Sequence, residues 1–401
     1  MLSPNTFAFT ALLALLTALG PLAMDLYLPS LPAIETALGA PAAQVQLTIS
    51  VYLIGFAVGQ IAYGPVSDRF GRKPVLGAAL TIFCAGTLMC SAAPTIGALI
   101  AARALQGAGA AGVIVLARAV VRDLYEGPRA GRELSLMGAI MGVAPIVAPV
   151  IGGFTQTTFG WRFGFILIFV AGLAAIAVMW RLLPETARRT KVVGHPVVAL
   201  VRSYAIVAKS GNFLAHLGIA TTSYAGLFAY ISGSSFVLQG LYGLSPLAFG
   251  LFYGVTSLGF IAGTLTGAKL VGRRGFDRTI GLGSGALAGG GLLLTVAVGL
   301  APSWIVALAA PMMVYLAGLG LVLPLSIAAA LQPFPERAGA ASSLVGSVQQ
   351  TIGAIVGAIV GHALGATAWP MIIGIAAAGC LTLLLWLATG KIRTRAVKPR
   401  G

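Results

Sequence analysis

The chain has 401 residues, 58% hydrophobic and only 8% charged, with a net charge of +16. Soluble domains are about 45–50% apolar and about 25% charged, so no water-soluble core would hide this much apolar surface. The composition points to a bilayer, and the bases lie in short loops between apolar runs, not on one continuous face, which argues against a nucleic-acid partner.

A membrane-crossing helix needs about 20 apolar residues. Twelve stretches qualify: roughly 7–30, 46–66, 75–94, 97–119, 134–157, 163–183, 212–234, 248–271, 279–301, 303–327, 339–362 and 368–390. The first has no basic leader and reads as an uncleaved span. None shows the polar–apolar alternation of a barrel strand. Only "LAPS" (Leu300–Ser303) separates the ninth from the tenth. If twelve helices alternate in direction, all 25 lysines and arginines except Arg103 and Arg162 fall on one side. By the positive-inside rule that side is the cytoplasm, and both chain ends lie there. Cys84, Cys90 and Cys380 sit inside apolar runs with no disulfide or metal spacing.

The longest polar connection, 184–211, separates a first bundle at 1–183 from a second at 212–390, and a basic tail follows at 391–401. "GAKLVGRRG" (Gly267–Gly275) follows the eighth span as "GPVSDRFGRKP" (Gly64–Pro74) follows the second, an offset of 203 (64→267). The expected fold is an all-α membrane protein, with twelve transmembrane helices in two pseudo-symmetric six-helix bundles. That is a transporter architecture.

Of the nine acids only Asp25 lies inside a predicted span. An ionisable residue there costs about 2.5–3.5 kcal/mol and is a functional-site candidate by default. Such a carboxyl is expensive as an anion, which makes Asp25 a candidate proton carrier. Nearby Pro29 and Pro32 leave an interfacial acid as the alternative. Arg103 is the matching base, roughly 10 Å into the fourth span, against roughly 9 Å for Asp25 from the end of the first. The similar depths suggest coupling; the alternative is that Arg103 bonds Gln106 or backbone carbonyls.

In the turn after the second span, Gly64 and Gly71 are expected to allow close approach and a tight bend. Asp68 is the only acid among Arg69, Arg72 and Lys73. It is expected to pair with Arg122 first and Arg118 second, as a latch that forms in one domain arrangement and breaks in the other. "MGVAPIVAPVIGG" (Met141–Gly153) places Pro145 and Pro149 one turn apart, which predicts a kinked helix with Gly152 and Gly153 for close packing. Aromatic and polar side chains along spans suit amphiphilic ligands. Tyr27, Tyr52, Phe56, Gln60, Tyr224, Tyr230 and Gln349 are the substrate-contact candidates.

Together these stretches resemble the major facilitator superfamily over essentially the whole chain. "GPVSDRFGRKP" is similar to its signature loop between helices 2 and 3, and "RALQGAG" (Arg103–Gly109) to its helix-4 motif. "APVIGG" (Ala148–Gly153) resembles the helix-5 antiporter motif, with Ala148 and Ala144 where glycines are usual. "LPET" (Leu183–Thr186) matches a segment found after helix 6 in drug exporters, and "AMDLYLPSLP" (Ala23–Pro32) is similar to the Bcr/CflA drug:proton antiporters. The resemblance implies a proton-coupled exporter of small amphiphilic compounds or drugs, multi-pass in a bacterial inner membrane and working by alternating access. Its partners would be a small-molecule substrate, protons and lipid; it would act as a monomer, without cofactor or metal. Uptake by symport, or export of an endogenous metabolite, is the alternative. No zinc, P-loop or nucleophile-elbow motif points to an enzyme.

Overall fold

A computed structural model of the protein describes residues 6–125, 127–187, 196–301, 304–365 and 367–395. Hydrocarbon offers no water to backbone N–H and C=O groups, so a crossing segment bonds to itself as a helix. Among the described residues every regular element is helical.

The first crossing is broken. α1 (Phe7–Asp25) contains Pro21 and stops at Asp25; a 3₁₀ turn, Leu28–Ser30, carries Pro29; α2 (Leu31–Leu38) resumes with Pro32 in its first turn. Each proline withholds an N–H, which makes this the weak point of the helix. α2 ends at Gly39 with φ +58°. The crossing therefore runs past the expected end at residue 30, and Asp25 lies thirteen residues from its far end (25→38), not six.

α3 (Ala42–Phe70), α4 (Arg72–Ala92), α5 (Ile96–Leu124), α6 (Gly127–Phe159) and α7 (Trp161–Leu182) follow. Within the expected 184–211 connection lies a helix, α8 (Pro196–Ala208), so that stretch is not all loop. Its Val207 is buried with Phe213, Ala330, Ala341 and Val345, and Tyr204 OH bonds Ser343 Oγ at 3.2 Å. Arg188, Arg189 and Lys191 lie outside the described residues. α9 (Gly211–Ser235) is capped by Ser210 and ends in a π turn, Phe236–Leu241. α10 (Pro246–Leu300), α11 (Val306–Leu331), α12 (Ala338–Ala363), α13 (Trp369–Ala388) and α14 (Gly390–Arg395) complete the order. The tail from 396 onward lies outside the described residues.

Among the described residues eleven helices are long and apolar enough to cross, against twelve predicted spans. The difference is α10, with 55 residues. At 1.5 Å per residue it would reach about 80 Å, well beyond a hydrocarbon core of about 30 Å. Gly275, at φ +76° and ψ 171°, breaks it into two arms that match the predicted spans 248–271 and 279–301. Eleven helices thus make twelve crossings.

The chain divides into two compact units: Met1–Val197 with Leu244–Leu251, and Val198–Gly243 with Phe252–Gly401. Their glycine contacts repeat. Gly55 lies on Ala104 O and Gly259 on Met313 O; Gly59 on Ala108 O and Gly263 on Ala317 O. Gly86 lies on the Gln106 backbone and Gly290 on that of Tyr315; Gly109 on Phe83 N and Gly318 on Leu287 N. The offset is 204 for α3 and α4 (55→259, 86→290) and 209 for α5 (104→313, 109→318). The echo is therefore 204, not 203. This one-residue correction matches Gly71 to Gly275, both at positive φ, and matches Asp68 and Arg72 to Gly272 and Phe276. The second unit repeats the turn without its acid–base pair.

Gly71 adopts φ +101° and ψ 152°, a region essentially reserved for glycine. Gly64 was expected to serve close approach, but no atom stands within 4 Å of where its Cβ would be. Gly71→Ala should lower stability by about 1–3 kcal/mol, while Gly64→Ala leaves the melting temperature nearly unchanged. Thermal unfolding of the two purified variants checks this; equal melting temperatures would contradict it.

Candidate functional site

α5 is capped by Thr95, whose Oγ1 accepts from Ala98 N, and Arg103 stands seven residues in (96→103) with no solvent exposure. A buried guanidinium needs partners, since desolvating it costs several kcal/mol. Nη1 donates to Gln106 Oε1 at 2.5 Å and to Ala23 O at 3.3 Å. Gln106 is oriented in turn by its Nε2, which donates a hydrogen bond to Thr87 Oγ1 at 2.9 Å. The guanidinium carbon lies 4.7 Å from the Tyr27 ring centre and 4.3 Å from that of Tyr52. Such desolvated cation–π contacts are worth about 2 kcal/mol. Both rings are held from behind: Tyr27 OH bonds Thr48 Oγ1 at 2.8 Å, and Tyr52 OH donates to Gly20 O at 3.0 Å. Among the described residues Arg103 Nε and Nη2 have no acceptor, so two donor nitrogens of a fully buried cation stay unsatisfied.

Asp25 is buried at the end of α1, two residues beyond the carbonyl that Arg103 contacts. It forms no ion pair with Arg103, and no hydrogen bond to its carboxylate is present among the described residues. The expected pair is therefore separated, and Arg103 takes the alternative of Gln106 and a backbone carbonyl. The packing around Asp25 is close, with Gly152 of α6 resting on the Leu26 backbone.

At the base-rich end, Arg72 is the centre. Its Nη1 bonds Asp68 Oδ1 at 2.5 Å and Ser67 Oγ at 2.6 Å, and its Nε bonds Asp123 Oδ2 at 2.8 Å. The expected Asp68–Arg122 and Asp68–Arg118 pairs do not form; Arg122 Nε instead donates to Arg118 O at 3.4 Å. The reason is local. The bend at Gly71 folds Arg72 back over the end of α3, four residues from Asp68, ahead of any residue on α5. Arg69 lies over the Phe70 ring at 5.3 Å. Asp123 was missed as a partner. Its place one residue after Arg122, near the end of α5, was the available signal.

Pro145 and Pro149 lie inside α6, which continues through both from Gly127 to Phe159. Gly153 packs on Pro246 and Gly250 on Pro149 O, all within the first unit. Of the substrate-contact candidates, Tyr27 and Tyr52 meet at Arg103, and Phe56 and Gln60 are buried further along α3. In the second unit Tyr224 OH donates to Gln350 Oε1 at 2.7 Å, and Tyr230 OH bonds Thr256 Oγ1 at 3.1 Å. Gln349 is buried with Nε2 unpartnered. The position matching Arg103 is Met312 (103→312), which lines a small, water-sized apolar gap with Tyr230 and Met371. Among the described residues no three potential metal ligands lie together.

The profile of the Major Facilitator Superfamily matches residues 13–358. The chain is 30% identical to the bicyclomycin resistance protein homolog of Haemophilus influenzae over 99% of both chains. It is 31% identical to multidrug resistance protein D of Escherichia coli over 84% of each. The crystal structure of a D-xylose-proton symporter superposes with a TM-score of 0.74, covering 96% of this chain and 98% of the other at 17% identity, a likeness of fold.

The Arg72 geometry makes a double-mutant test. Arg72→Ala and Asp123→Asn should destabilise the purified protein less together than their sum, with a coupling of about 1 kcal/mol. Asp68→Asn and Arg122→Ala should add. Coupling in the second cycle and none in the first would reverse the assignment.

Proposed function

Since the chain belongs to the Major Facilitator Superfamily, we propose that it exports small amphiphilic compounds, drugs among them, in exchange for protons. Relatives named for bicyclomycin and multidrug resistance, matched along most of the chain, support the substrate class. One observation carries the coupling: a buried carboxylate with no hydrogen-bond partner among the described residues stands two residues beyond the carbonyl that a buried guanidinium contacts, and that guanidinium has two unsatisfied donor nitrogens.

Arginine keeps its charge at any accessible pH. With Asp25 protonated, Arg103 rests on Gln106, Ala23 O and the two tyrosine faces, the arrangement described above. With Asp25 ionised, the unsatisfied Nε and Nη2 donors are available to it, and the guanidinium leaves the tyrosines. Proton release then changes the surface that Tyr27 and Tyr52 offer to an aromatic or apolar substrate. Binding of substrate against those rings and binding of the proton by Asp25 compete for the position of one side chain. In the second unit the matching position is Met312, an uncharged apolar side chain.

In this reading the base-rich end faces the cytoplasm of a bacterial cell, with both chain ends there, and the protein works as a monomer in the inner membrane. Thr36 and Lys209 are both exposed and belong to opposite ends by this assignment. A cysteine at 36 should react with an impermeant maleimide added to whole cells, and one at 209 should not. Outside labelling at 209 would invert the topology.

Asp25→Asn mimics the protonated form permanently. It should abolish uphill, pH-driven export while substrate binding survives, because binding needs no net proton transfer. Asp25→Glu should retain part of the activity. The decisive assay is substrate-induced proton release from the purified protein across pH. Undiminished release by Asp25→Asn would remove Asp25 as the carrier.

A further inference from the structure

The Leu183–Thr186 stretch, directly after α7, takes no part in the sites above, yet Glu185 bonds Arg72 and Thr186 bonds Asp123, the partner of Arg72. Glu185 Oε1 accepts the backbone N–H of Arg72 at 2.9 Å, and Oε2 accepts that of Lys73 at 3.1 Å. These are the first residues of α4, whose N–H groups have no partner inside the helix. The carboxylate also accepts from Thr186 N and Ala187 N, each at 2.9 Å, which closes its own turn. Desolvation works against the charge, but the four N–H groups outweigh it and hold the Glu185 carboxyl below its ordinary range. A Cβ at Gly71 would stand 2.7 Å from Glu185 Oε2, so the glycine makes room for the acid as well as for the bend. Thr186 Oγ1 donates to Asp123 Oδ2 at 3.3 Å, the oxygen that also takes Arg72 Nε. Arg72 is thus held twice, by its backbone through Glu185 and by its side chain through Asp123.

The second unit carries the same fastening with the charges exchanged. In the first, Lys73 Nζ donates to Trp180 O at 2.8 Å near the end of α7, and Gly77 packs on the Trp180 ring. In the second, Gly281 packs on Trp386, and the position matching Lys73 is Asp277 (73→277). Arg393, beyond α13, donates Nε to Asp277 Oδ1 and Nη1 to Trp386 O, both at 2.7 Å. There the fastening has no latch to serve, because Gly272 and Phe276 replace the acid–base pair. Fastening two helices and placing Arg72 are therefore separable roles, and only the first unit combines them.

We propose that Glu185, assisted by Thr186, is a positioning residue for Arg72: it fixes the start of α4 so that the guanidinium spans Asp68 and Asp123. The transport reading is needed only for the first arm of the test. In an exporter-deficient bacterium loaded with ethidium, Glu185→Ala should lower the maximal efflux rate about tenfold, with KM and the amount of protein in the membrane nearly unchanged. Arg72→Ala should do the same, and the double variant should be no slower than Arg72→Ala. Glu185→Gln keeps an acceptor oxygen and should recover part of the rate. Losses that multiply in the double variant, or that follow protein amount, would overturn the proposal. If the wild type moves no ethidium, that outcome counts against the transport reading, and the second arm decides. In thermal unfolding of the purified protein, the drops for Glu185→Ala and Arg72→Ala should be less than additive, while those for Arg393→Ala and Arg72→Ala add. Additive drops for Glu185 and Arg72 would overturn the proposal by themselves.

Discussion

A guanidinium removed from water must be answered by its surroundings, and much of the first unit is arranged around that demand at Arg103. One answer comes from the break in the first crossing. Because α1 stops at Asp25, Ala23 O lies among the last carbonyls of the helix, where no later N–H need take it, and Arg103 Nη1 does so. At this break Tyr27 N–H turns to Met24 O, which leaves Ala23 O as an acceptor that a continuous helix would have hidden. Gly152 lets α6 pack against Leu26 and support the break. Thr87, Thr48 and the carbonyl of Gly20 fix Gln106, Tyr27 and Tyr52, which in turn hold the cation. The cage remains incomplete by two donors, and that incompleteness leaves the cation a second place to go.

The two units share their packing but not their chemistry. Glycines at matching positions bring backbones together at the same crossings, which in hydrocarbon is what allows helices to attract one another by close contact. On this repeated frame the first unit places Arg103 and Gln106, where the second places Met312 and Tyr315. Methionine is an adaptable apolar filler and needs no hydrogen-bonding cage. The same division appears at the base-rich turns, where Asp68 and Arg72 correspond to Gly272 and Phe276 in the repeat. Duplicated scaffold and singular charge are compatible because packing depends on small residues at crossings, whereas a charge site depends on a few side chains between them.

The charged turn between α3 and α4 illustrates how local geometry selects partners. Gly71 bends the chain so that Arg72 returns over the end of α3, and a bridge to Asp68 then requires no reach across to another helix. Asp123 supplies the inter-helix contact, and the end of α7 contributes Glu185 to the exposed N–H groups of α4. A carboxylate at a helix start also meets the positive end of the helix dipole, which favours its charge. The cluster is a joint between helix ends as much as a set of ion pairs.

Much of this was legible from residue order alone. Apolar run length and the one-sided placement of bases are properties of the chain, and they yield twelve crossings, with the two arms of α10 counted separately because Gly275 breaks the helix between them. Asp25 and Arg103 stand out by the same logic, since a charge inside an apolar run needs no structure to be noticed. The repeat was visible too, but its register was off by one, because sequence similarity cannot tell which glycine makes the turn and backbone φ can. What tertiary structure decided was partnership. Arg72 instead of Arg122 answers Asp68, Gln106 and Ala23 O instead of Asp25 answer Arg103, and Glu185 reaches back more than a hundred residues to α4. Side-chain reach is a few ångströms, and which groups fall within it depends on how helix ends bend and meet in space, a quantity that no local pattern of residues encodes.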